Sequence, residues 1–182
     1  MAGDERLRLF CALRLPAETV EALSEWQRRE LGASADDGAR LVSPENLHLT
    51  LAFLGGRPAG DAPGIVAALA EAARASRDPR LRVAGYRETR SVGMLTLDDE
   101  GGRVTAVAVR LHELLEKQGV YERESRPWLP HVTVLRFRER PRLAPALPEL
   151  GELVPSDAAV YISRLRPGGA RYEVLEAVAL GE

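Results

Sequence analysis

One short pattern of residues occurs twice in the chain, and it constrains the fold more than any other feature. It reads His48-Leu49-Thr50-Leu51 in the first half and His131-Val132-Thr133-Val134 in the second. Side chains alternate between the two faces of a β-strand, so each segment would present an imidazole and a hydroxyl on one face and two apolar side chains on the other. The sequence therefore predicts two strands, one in each half, whose polar faces line a shared cleft.

Alternating and helical patterns of apolar residues surround the two motifs. Runs with a period of two predict β-strands, and runs with a helical period predict amphipathic helices. The strands are expected over 6–15, 47–54, 81–86, 92–97, 129–137, from 154 or 158 to 165, and over 172–180, and the helices over 16–31, 63–76 and 104–118. The small and acidic residues 33–40 are expected to form a flexible loop. Strands and helices interleaved in this way favour mixed α+β layers over a doubly wound parallel sheet.

Length and composition indicate a single domain spanning residues 1–182. Hydrophobic residues make up 45% of the chain and charged residues 29%, which supplies enough apolar material for a core and argues against disorder. A net charge of −2 excludes nucleic-acid binding by bulk positive charge, but a local basic cleft stays open. We expect a cytoplasmic monomer, since the sequence shows neither a secretory signal nor a membrane span.

The other residues with chemical potential have ordinary structural interpretations. The single cysteine, Cys11, excludes an internal disulfide and any CxxC zinc or redox motif, and it is expected to be a small core residue. His112, the third histidine, lies in a predicted amphipathic helix and is expected at the helix surface. Trp128 is expected either in the core or along the cleft. Tyr161 and Tyr172 are interpreted as strand aromatics, with base stacking as the alternative.

Two imidazoles facing one cleft suit the making or breaking of a phosphodiester bond. One neutral imidazole accepts a proton from the attacking water or hydroxyl, and the other, as imidazolium, donates a proton to the departing oxygen. Thr50 and Thr133 would donate hydrogen bonds to the phosphate oxygens, and Arg136 would add fixed positive charge. By strict strand alternation, Arg136 falls on the face opposite His131, unless a β-bulge redirects it.

Around both motifs the sequence resembles a known family. Asn46-Leu47-His48-Leu49-Thr50-Leu51-Ala52-Phe53-Leu54-Gly55 resembles the first signature of the two-histidine phosphoesterases, and Pro130-His131-Val132-Thr133-Val134-Leu135-Arg136 resembles the second. Within that superfamily, the chain is similar to the bacterial RNA 2',3'-cyclic phosphodiesterases, also called 2'-5' RNA ligases. The resemblance extends to residues 10–16, to Ser163 and to residues 169–172, so it covers almost the whole chain.

The resemblance implies a fold, an activity and a set of site residues. The fold has two lobes, each an antiparallel sheet backed by helices, with the two motifs facing each other across a central cleft. The activity opens a 2',3'-cyclic phosphate, at an RNA 3' end or on a nucleotide, to a 2'-phosphate without a metal or other cofactor. The reverse reaction with a 5'-hydroxyl RNA end would be 2'-5' ligation. In the family pattern His48 matches the proton donor, His131 the proton acceptor, Thr50 and Thr133 the phosphate-contacting hydroxyls, and Arg136 the arginine that closes the second signature.

Other interpretations of the cleft stay open from the sequence. It could belong to a module that binds RNA ends or nucleotides without catalysis, or to a phosphodiesterase for a different small cyclic phosphate. A metal hydrolase would need three or four converging ligands, and no spacing in the sequence supports such a set. The family often carries an aromatic residue in the strand near 87–97, where this chain has Met94 and Leu95, so base preference is open as well.

Overall fold

The computed structural model describes residues 5–181, and this range contains eight strands and three α-helices. The strands are β1 (Arg6–Arg14), β2 (Arg40–Leu41), β3 (His48–Pro58), β4 (Leu81–Glu88), β5 (Val92–Asp99), β6 (His131–Arg136), β7 (Asp157–Arg166) and β8 (Gly169–Val178). The helices are α1 (Ala17–Leu31), α2 (Ala62–Arg74) and α3 (Arg103–Lys117). Within residues 5–181, no helix has both the length and the apolar character that crossing a membrane requires. The expectation that no secretory signal is present rests partly on residues 1–4, and these lie outside the described residues.

The strands form two antiparallel sheets of four strands each. The first sheet has the order β3-β1-β7-β8, and the second has the order β2-β6-β5-β4. Each sheet holds one histidine motif: β3 is an edge strand of the first, and only the two-residue β2 lies beyond β6 in the second. The strands β3 and β6 contact each other, so the two motifs meet where the sheets adjoin. The α+β architecture with two antiparallel sheets, expected from the sequence, is confirmed.

The apolar faces of the two motif strands determine which way the histidines face. Leu49 and Leu51 of β3, and Val132 and Val134 of β6, are at most 1% exposed and belong to one hydrophobic cluster. A slip of one residue in either strand would exchange these side chains with the polar ones, so burial of the apolar face fixes the register. The three helices contribute to the same cluster through Leu23, Trp26, Ile65, Leu69, Val107 and Leu111.

Cys11 lies in the middle of β1 within this core. Its side chain is completely buried, and burial raises the pKa of the thiol to about 12. A thiol that stays protonated and out of contact with solvent is not a nucleophile. The expectation that Cys11 is a core residue is therefore confirmed.

The segment expected to be a flexible loop, residues 33–40, is ordered. Gly32–Asp37 forms a 3-10 turn, in which the Ser34 hydroxyl donates a hydrogen bond to the Leu31 carbonyl oxygen at 2.5 Å. Gly38 ends the turn with a φ of +83°, which glycine adopts readily because it has no Cβ. The chain then adds β2 to the second sheet.

The expectation that His112 lies on a helix surface is wrong. Its side chain, on α3, is only 6% exposed, and its ring packs beside Tyr121 with the ring centroids 4.8 Å apart. The Nε2–H group donates a hydrogen bond to the carbonyl oxygen of Leu51 at 2.8 Å. This bond satisfies the buried imidazole, which is why a polar residue is tolerated on the buried side of the helix.

Candidate active site

A cavity of about 740 Å³ lies where β3 and β6 meet. From β3 it is lined by His48, Thr50 and Phe53, and from β6 by Thr133 and Arg136. Four of the five residues singled out in the sequence therefore line one cavity. His131, the fifth, is not among the lining residues; it begins β6 on the same face as Thr133 and is partly buried. Its charge lies close enough to His48 to contribute to lowering the pKa of that imidazole.

Two hydrogen bonds hold the imidazole of His48. Its Nδ1 lies 2.8 Å from the carbonyl oxygen of Asn46, and its Nε2 lies 2.8 Å from the hydroxyl oxygen of Thr50. A carbonyl oxygen only accepts, so Nδ1 carries the proton, and in the neutral ring Nε2 accepts from the Thr50 hydroxyl. The pKa of His48 is lowered to about 4, mainly by burial and further by the nearby charges of Arg136 and His131.

The imidazole of His131 is held in a matching way. Its Nδ1 lies 2.8 Å from the carbonyl oxygen of Leu129, two residues earlier in the chain. In both motifs, then, the carbonyl at position −2 fixes the proton on Nδ1 and orients the ring. On each ring this leaves Nε2 for proton transfer, although on His48 it accepts the Thr50 hydroxyl hydrogen bond in the free protein.

A β-bulge follows the threonine in each motif strand. In β6, Met94 of β5 pairs with Thr133 and Gly93 pairs with Leu135, so Val134 is an extra residue in the ladder. Val134 and Leu135 are both completely buried, and Arg136 returns to the face that carries His131 and Thr133. Strict alternation would have placed Arg136 on the opposite face; of the two possibilities that the sequence left open, redirection by a β-bulge is the one observed.

The bulge in β3 occurs at the same place in its motif. Ala12 of β1 pairs with Thr50 and Cys11 pairs with Ala52, which leaves Leu51 as the extra residue. As a result Phe53, five residues after His48, returns to the cavity side and is 50% exposed. Phe53 thus occupies the position in β3 that Arg136 occupies in β6.

The cavity is basic although the chain as a whole is slightly acidic. Besides Arg136, three arginines line it, Arg40, Arg166 and Arg171, against the single carboxylate of Glu45. Arg40 is anchored by a hydrogen bond to the carbonyl oxygen of Gly168 at 2.9 Å. The net charge of the chain did not exclude a local basic cleft, and such a cleft is present. It suits an anionic ligand.

Aromatic rings surround His48 on the side of the first sheet. Phe10 lies 5.0 Å from the His48 ring and stacks on Tyr161 at 4.9 Å, and Tyr172 meets His48 edge-on at 5.4 Å. Tyr172 lines the cavity, whereas Tyr161 is only 8% exposed. Phe53 adds an exposed ring, over which the Arg8 guanidinium lies 5.0 Å from the centroid.

Two further expectations concern residues beside the motifs. Met94 and Leu95 are both buried in β5, so aromatic surface in the cavity comes from the first sheet instead. Trp128 is partly buried against the core, and its indole N–H donates to the carbonyl oxygen of Thr50 at 3.2 Å.

Among residues 5–181, no three His, Cys, Asp or Glu side chains are grouped so that they could hold a metal ion.

The chain is similar to known proteins over nearly its whole length. The sequence model of the family described as "LigT like Phosphoesterase" matches residues 13–90. The RNA 2',3'-cyclic phosphodiesterase of Thermus thermophilus is 36% identical, over 96% of this chain and 90% of that protein. The chain belongs to the LigT-like phosphoesterases.

Two other relatives of this LigT-like phosphoesterase agree with that assignment. The RNA 2',3'-cyclic phosphodiesterase of Escherichia coli is 31% identical, over 97% of this chain and 98% of that protein. The crystal structure of E. coli LigT complexed with 3'-AMP superposes with a TM-score of 0.77 at 26% identity, covering 98% of this chain and 100% of the other. The family inferred from the two histidine motifs is confirmed.

Several cavity residues of this LigT-like phosphoesterase were not singled out in the sequence. Phe53 was missed because strict alternation turns it away from His48, and the bulge reverses this. A signal was present, since the threonine of each motif is followed by two apolar residues in succession, Leu51-Ala52 and Val134-Leu135, where a regular strand would alternate. Arg40 and Arg166 come from distant segments, and nothing in their local sequence distinguishes them from other arginines. Arg171 lies in the segment 169–172 that resembles the family, but it was not singled out as a site residue.

Proposed function

We propose that this LigT-like phosphoesterase hydrolyses the 2',3'-cyclic phosphate at RNA 3' ends, or on nucleotides, and leaves a 2'-phosphate. The proposal rests chiefly on the matched pair of motif strands: His48, Thr50 and Thr133 line one basic cavity, and His131, whose imidazole is held in the same way, lies near enough to His48 to affect its pKa. The substrate class is supported by two relatives named RNA 2',3'-cyclic phosphodiesterase and by the complex of E. coli LigT with 3'-AMP.

His131 is the proposed proton acceptor. With Nδ1–H donated to the Leu129 carbonyl, the neutral ring has its lone pair on Nε2. That nitrogen removes a proton from a water molecule as the water oxygen bonds to phosphorus. The new P–O bond forms on the side away from the 3'-oxygen, whose bond to phosphorus then breaks.

His48 is the proposed proton donor to the departing 3'-oxygen. In the free protein burial keeps this imidazole neutral, with a pKa of about 4. A bound phosphate is anionic, and a negative charge beside the ring favours its protonated form. Binding therefore raises the pKa of His48, and the imidazole becomes protonated. The proton then passes from Nε2 to the 3'-oxygen. The product has a free 3'-hydroxyl and a 2'-phosphate, and both histidines exchange protons with water before the next turnover.

Thr50, Thr133 and Arg136 are the proposed phosphate ligands. Each threonine hydroxyl can donate one hydrogen bond to a non-bridging oxygen, where negative charge builds up as water attacks. Thr50 donates to His48 Nε2 in the free protein, and protonation of that nitrogen releases the hydroxyl for the phosphate. Arg136 supplies a charge that does not depend on pH and that suits the geometry of phosphate oxygens.

We also propose that the protein works as a monomer in the cytoplasm. All the residues assigned a role here come from one chain, and the only cysteine is buried and unpaired, as suits a reducing compartment. Light scattering during gel filtration tests the monomer, and a mass of about 20 kDa is expected from the composition.

Product analysis on a defined substrate tests the proposed function. The protein is incubated with a short RNA ending in a 2',3'-cyclic phosphate, with and without EDTA, and the products are separated against 2'-phosphate and 3'-phosphate standards. We expect only the 2'-phosphate, at a rate that EDTA does not change. Binding without turnover would identify a non-catalytic module, a 3'-phosphate product would reverse the assignment of the leaving oxygen, and inhibition by EDTA would indicate a metal hydrolase.

A further inference from the structure

Two buried polar side chains on different helices contact the two motif bulges in the same way. Gln27 of α1 is 2% exposed, and its Nε2 donates to the carbonyl oxygen of Val134 at 2.7 Å. His112 of α3 is 6% exposed, and its Nε2 donates to the carbonyl oxygen of Leu51 at 2.8 Å. Val134 and Leu51 are the extra residues of the bulges in β6 and β3. Each bulged carbonyl thus receives a hydrogen bond from a helix of the core.

These contacts occur where the strand ladder itself is interrupted. A bulge leaves one residue out of the regular pairing, so its buried carbonyl depends on partners outside that ladder. The Val134 carbonyl oxygen accepts from the Val42 N–H at 3.0 Å as well as from Gln27. In β6 the Gln27 amide bridges two segments, because it also donates to the Val42 carbonyl oxygen at 3.1 Å. In β3 the indole of Trp128 adds a bond to the Thr50 carbonyl, next to the one from His112. Both side chains are therefore placed to hold a local backbone shape rather than to touch a ligand.

The bulge decides where the residue two positions later points. Without it, alternation would turn Arg136 and Phe53 away from the histidines. With it, both side chains reach the cavity. A side chain that stabilises the bulge in β6 thus acts through Arg136, and one that stabilises the bulge in β3 acts through Phe53.

We infer that Gln27 and His112 are paired positioning residues, each of which holds one motif bulge and thereby aims one side chain, Arg136 or Phe53, into the cavity. The inference rests on the proposed function only for its kinetic readout. Either residue type serves, because the chain uses an amide in one half and an imidazole in the other to donate the same hydrogen bond. The requirement is a buried donor of suitable length at each position.

A double-mutant cycle distinguishes this role from general support of the fold. Gln27→Met removes the donor at nearly constant size, and we expect kcat/KM to fall by between about tenfold and about a hundredfold, since a misplacement of about 1 Å can cost about 10²-fold. In an Arg136→Ala background the same change should cost less than about twofold, because the group it positions is gone. In a Phe53→Ala background its cost should be unchanged. His112→Leu should show the reverse dependence, losing its effect only when Phe53 is absent.

Donor exchange provides the matched controls. Gln27→His and His112→Gln each keep a donor and should retain kcat/KM within about threefold, whereas the donor-less variants should not. If Gln27→Met or His112→Leu does not fold, Gln27→Leu and His112→Met, which also lack a donor, take their places in the cycle. Equal costs in all backgrounds, or equal costs for donor and donor-less variants, would overturn the inference.

The affinity for adenosine 2'-monophosphate gives a second readout that needs no turnover. The dissociation constant is measured by titration calorimetry for the wild type and for every member of both cycles. The same pattern of coupling is expected in the dissociation constants. If the wild type binds this nucleotide but turns over no cyclic phosphate, the proposed function fails, while the cycles still decide whether Gln27 and His112 are positioning residues.

Discussion

The strands β3 and β6 carry the same motif with the same bulge, yet they present different chemistry to the cavity. Five residues after the histidine, β3 places the exposed ring of Phe53 and β6 places the guanidinium of Arg136. His48 is surrounded by the rings of Phe10 and Tyr172, and burial lowers its pKa to about 4.

The difference shows how one local design can serve two tasks. The half that contains β3 offers aromatic surface and the buried imidazole of the proposed proton donor. The half that contains β6 offers a permanent cation and a second imidazole. A nucleotide with a flat base and an anionic phosphate fits this division, with the base towards the first sheet and the phosphate between the two histidines. The comparison predicts that matched changes in the two strands will have unequal effects.

The largest effect is expected from removal of either histidine. His48→Ala and His131→Ala should each lower kcat by about 10²- to 10⁴-fold, because each removes one proton-transfer step. A 3'-deoxynucleoside 2'-(p-nitrophenyl) phosphate separates the two roles, because it keeps the 2'-ester, has no neighbouring hydroxyl to attack phosphorus, and its leaving group departs as a stable anion without protonation. On this substrate the cost of His48→Ala should shrink, while that of His131→Ala should persist. If both variants lose activity equally on both substrates, the division into donor and acceptor is wrong.

A smaller effect is expected from the cation of the second motif. Arg136→Ala should lower kcat/KM by about 10- to 100-fold, because it removes a charged hydrogen-bond donor from the phosphate. Arg136→Lys keeps the charge but loses the forked geometry, and it should recover only part of the loss. Arg110→Ala is the matched control, since that arginine lies on α3 and pairs with Glu71 and Glu113. Activity of Arg136→Ala at the wild-type level would show that the bulge does not aim this side chain at the phosphate.

Arg136 also shows what the sequence could and could not predict. The strands and the faces of His48 and His131 followed from apolar alternation, because burial of one face leaves no other register. The bulges did not follow, because alternation assumes a regular ladder and a bulge is defined by its partner strand. The bulges coincide with the apolar pairs Leu51-Ala52 and Val134-Leu135, which break the alternation in the sequence. Whether such a pair is a bulge is decided by the pairing with the neighbouring strand, β1 or β5.

His112 was misjudged for a related reason. Its helix is amphipathic, and a histidine there is ordinarily solvated. Its burial depends on a hydrogen bond to the carbonyl oxygen of Leu51, the extra residue of the bulge in β3, which lies 61 residues away in sequence. Gln27 depends in the same way on Val134, 107 residues away. Interactions of this kind are set by tertiary structure, so local patterns do not reveal them.

Binding of an anion should also change the protonation of His48. Since His48 is neutral in the free protein above a pH of about 4, binding of a phosphate anion should raise its pKa and draw a proton from solution. Calorimetry with 2',3'-cyclic AMP and the His131→Ala variant avoids turnover and avoids a ligand that titrates near neutrality. At pH 6, in two buffers of different ionisation enthalpy, we expect uptake of up to one proton per site. The double variant lacking both histidines should show none, and proton release by the His131→Ala variant would contradict the proposed donor role.

The smallest effect is expected at Phe53, the counterpart of Arg136. Its exposed ring can stack on a base but contributes no charge, so Phe53→Ala should raise KM by about tenfold or less and leave kcat nearly unchanged, at the low end of the range for loss of one stacked base. Phe53→Tyr keeps the ring face and should preserve KM. The decisive substrate is one without a base, ribose 2',3'-cyclic phosphate, on which Phe53→Ala and the wild type should perform alike. If Phe53→Ala lowers kcat on that substrate, the ring affects His48 rather than a base. The half that contains β3 would then not be the half that binds the base.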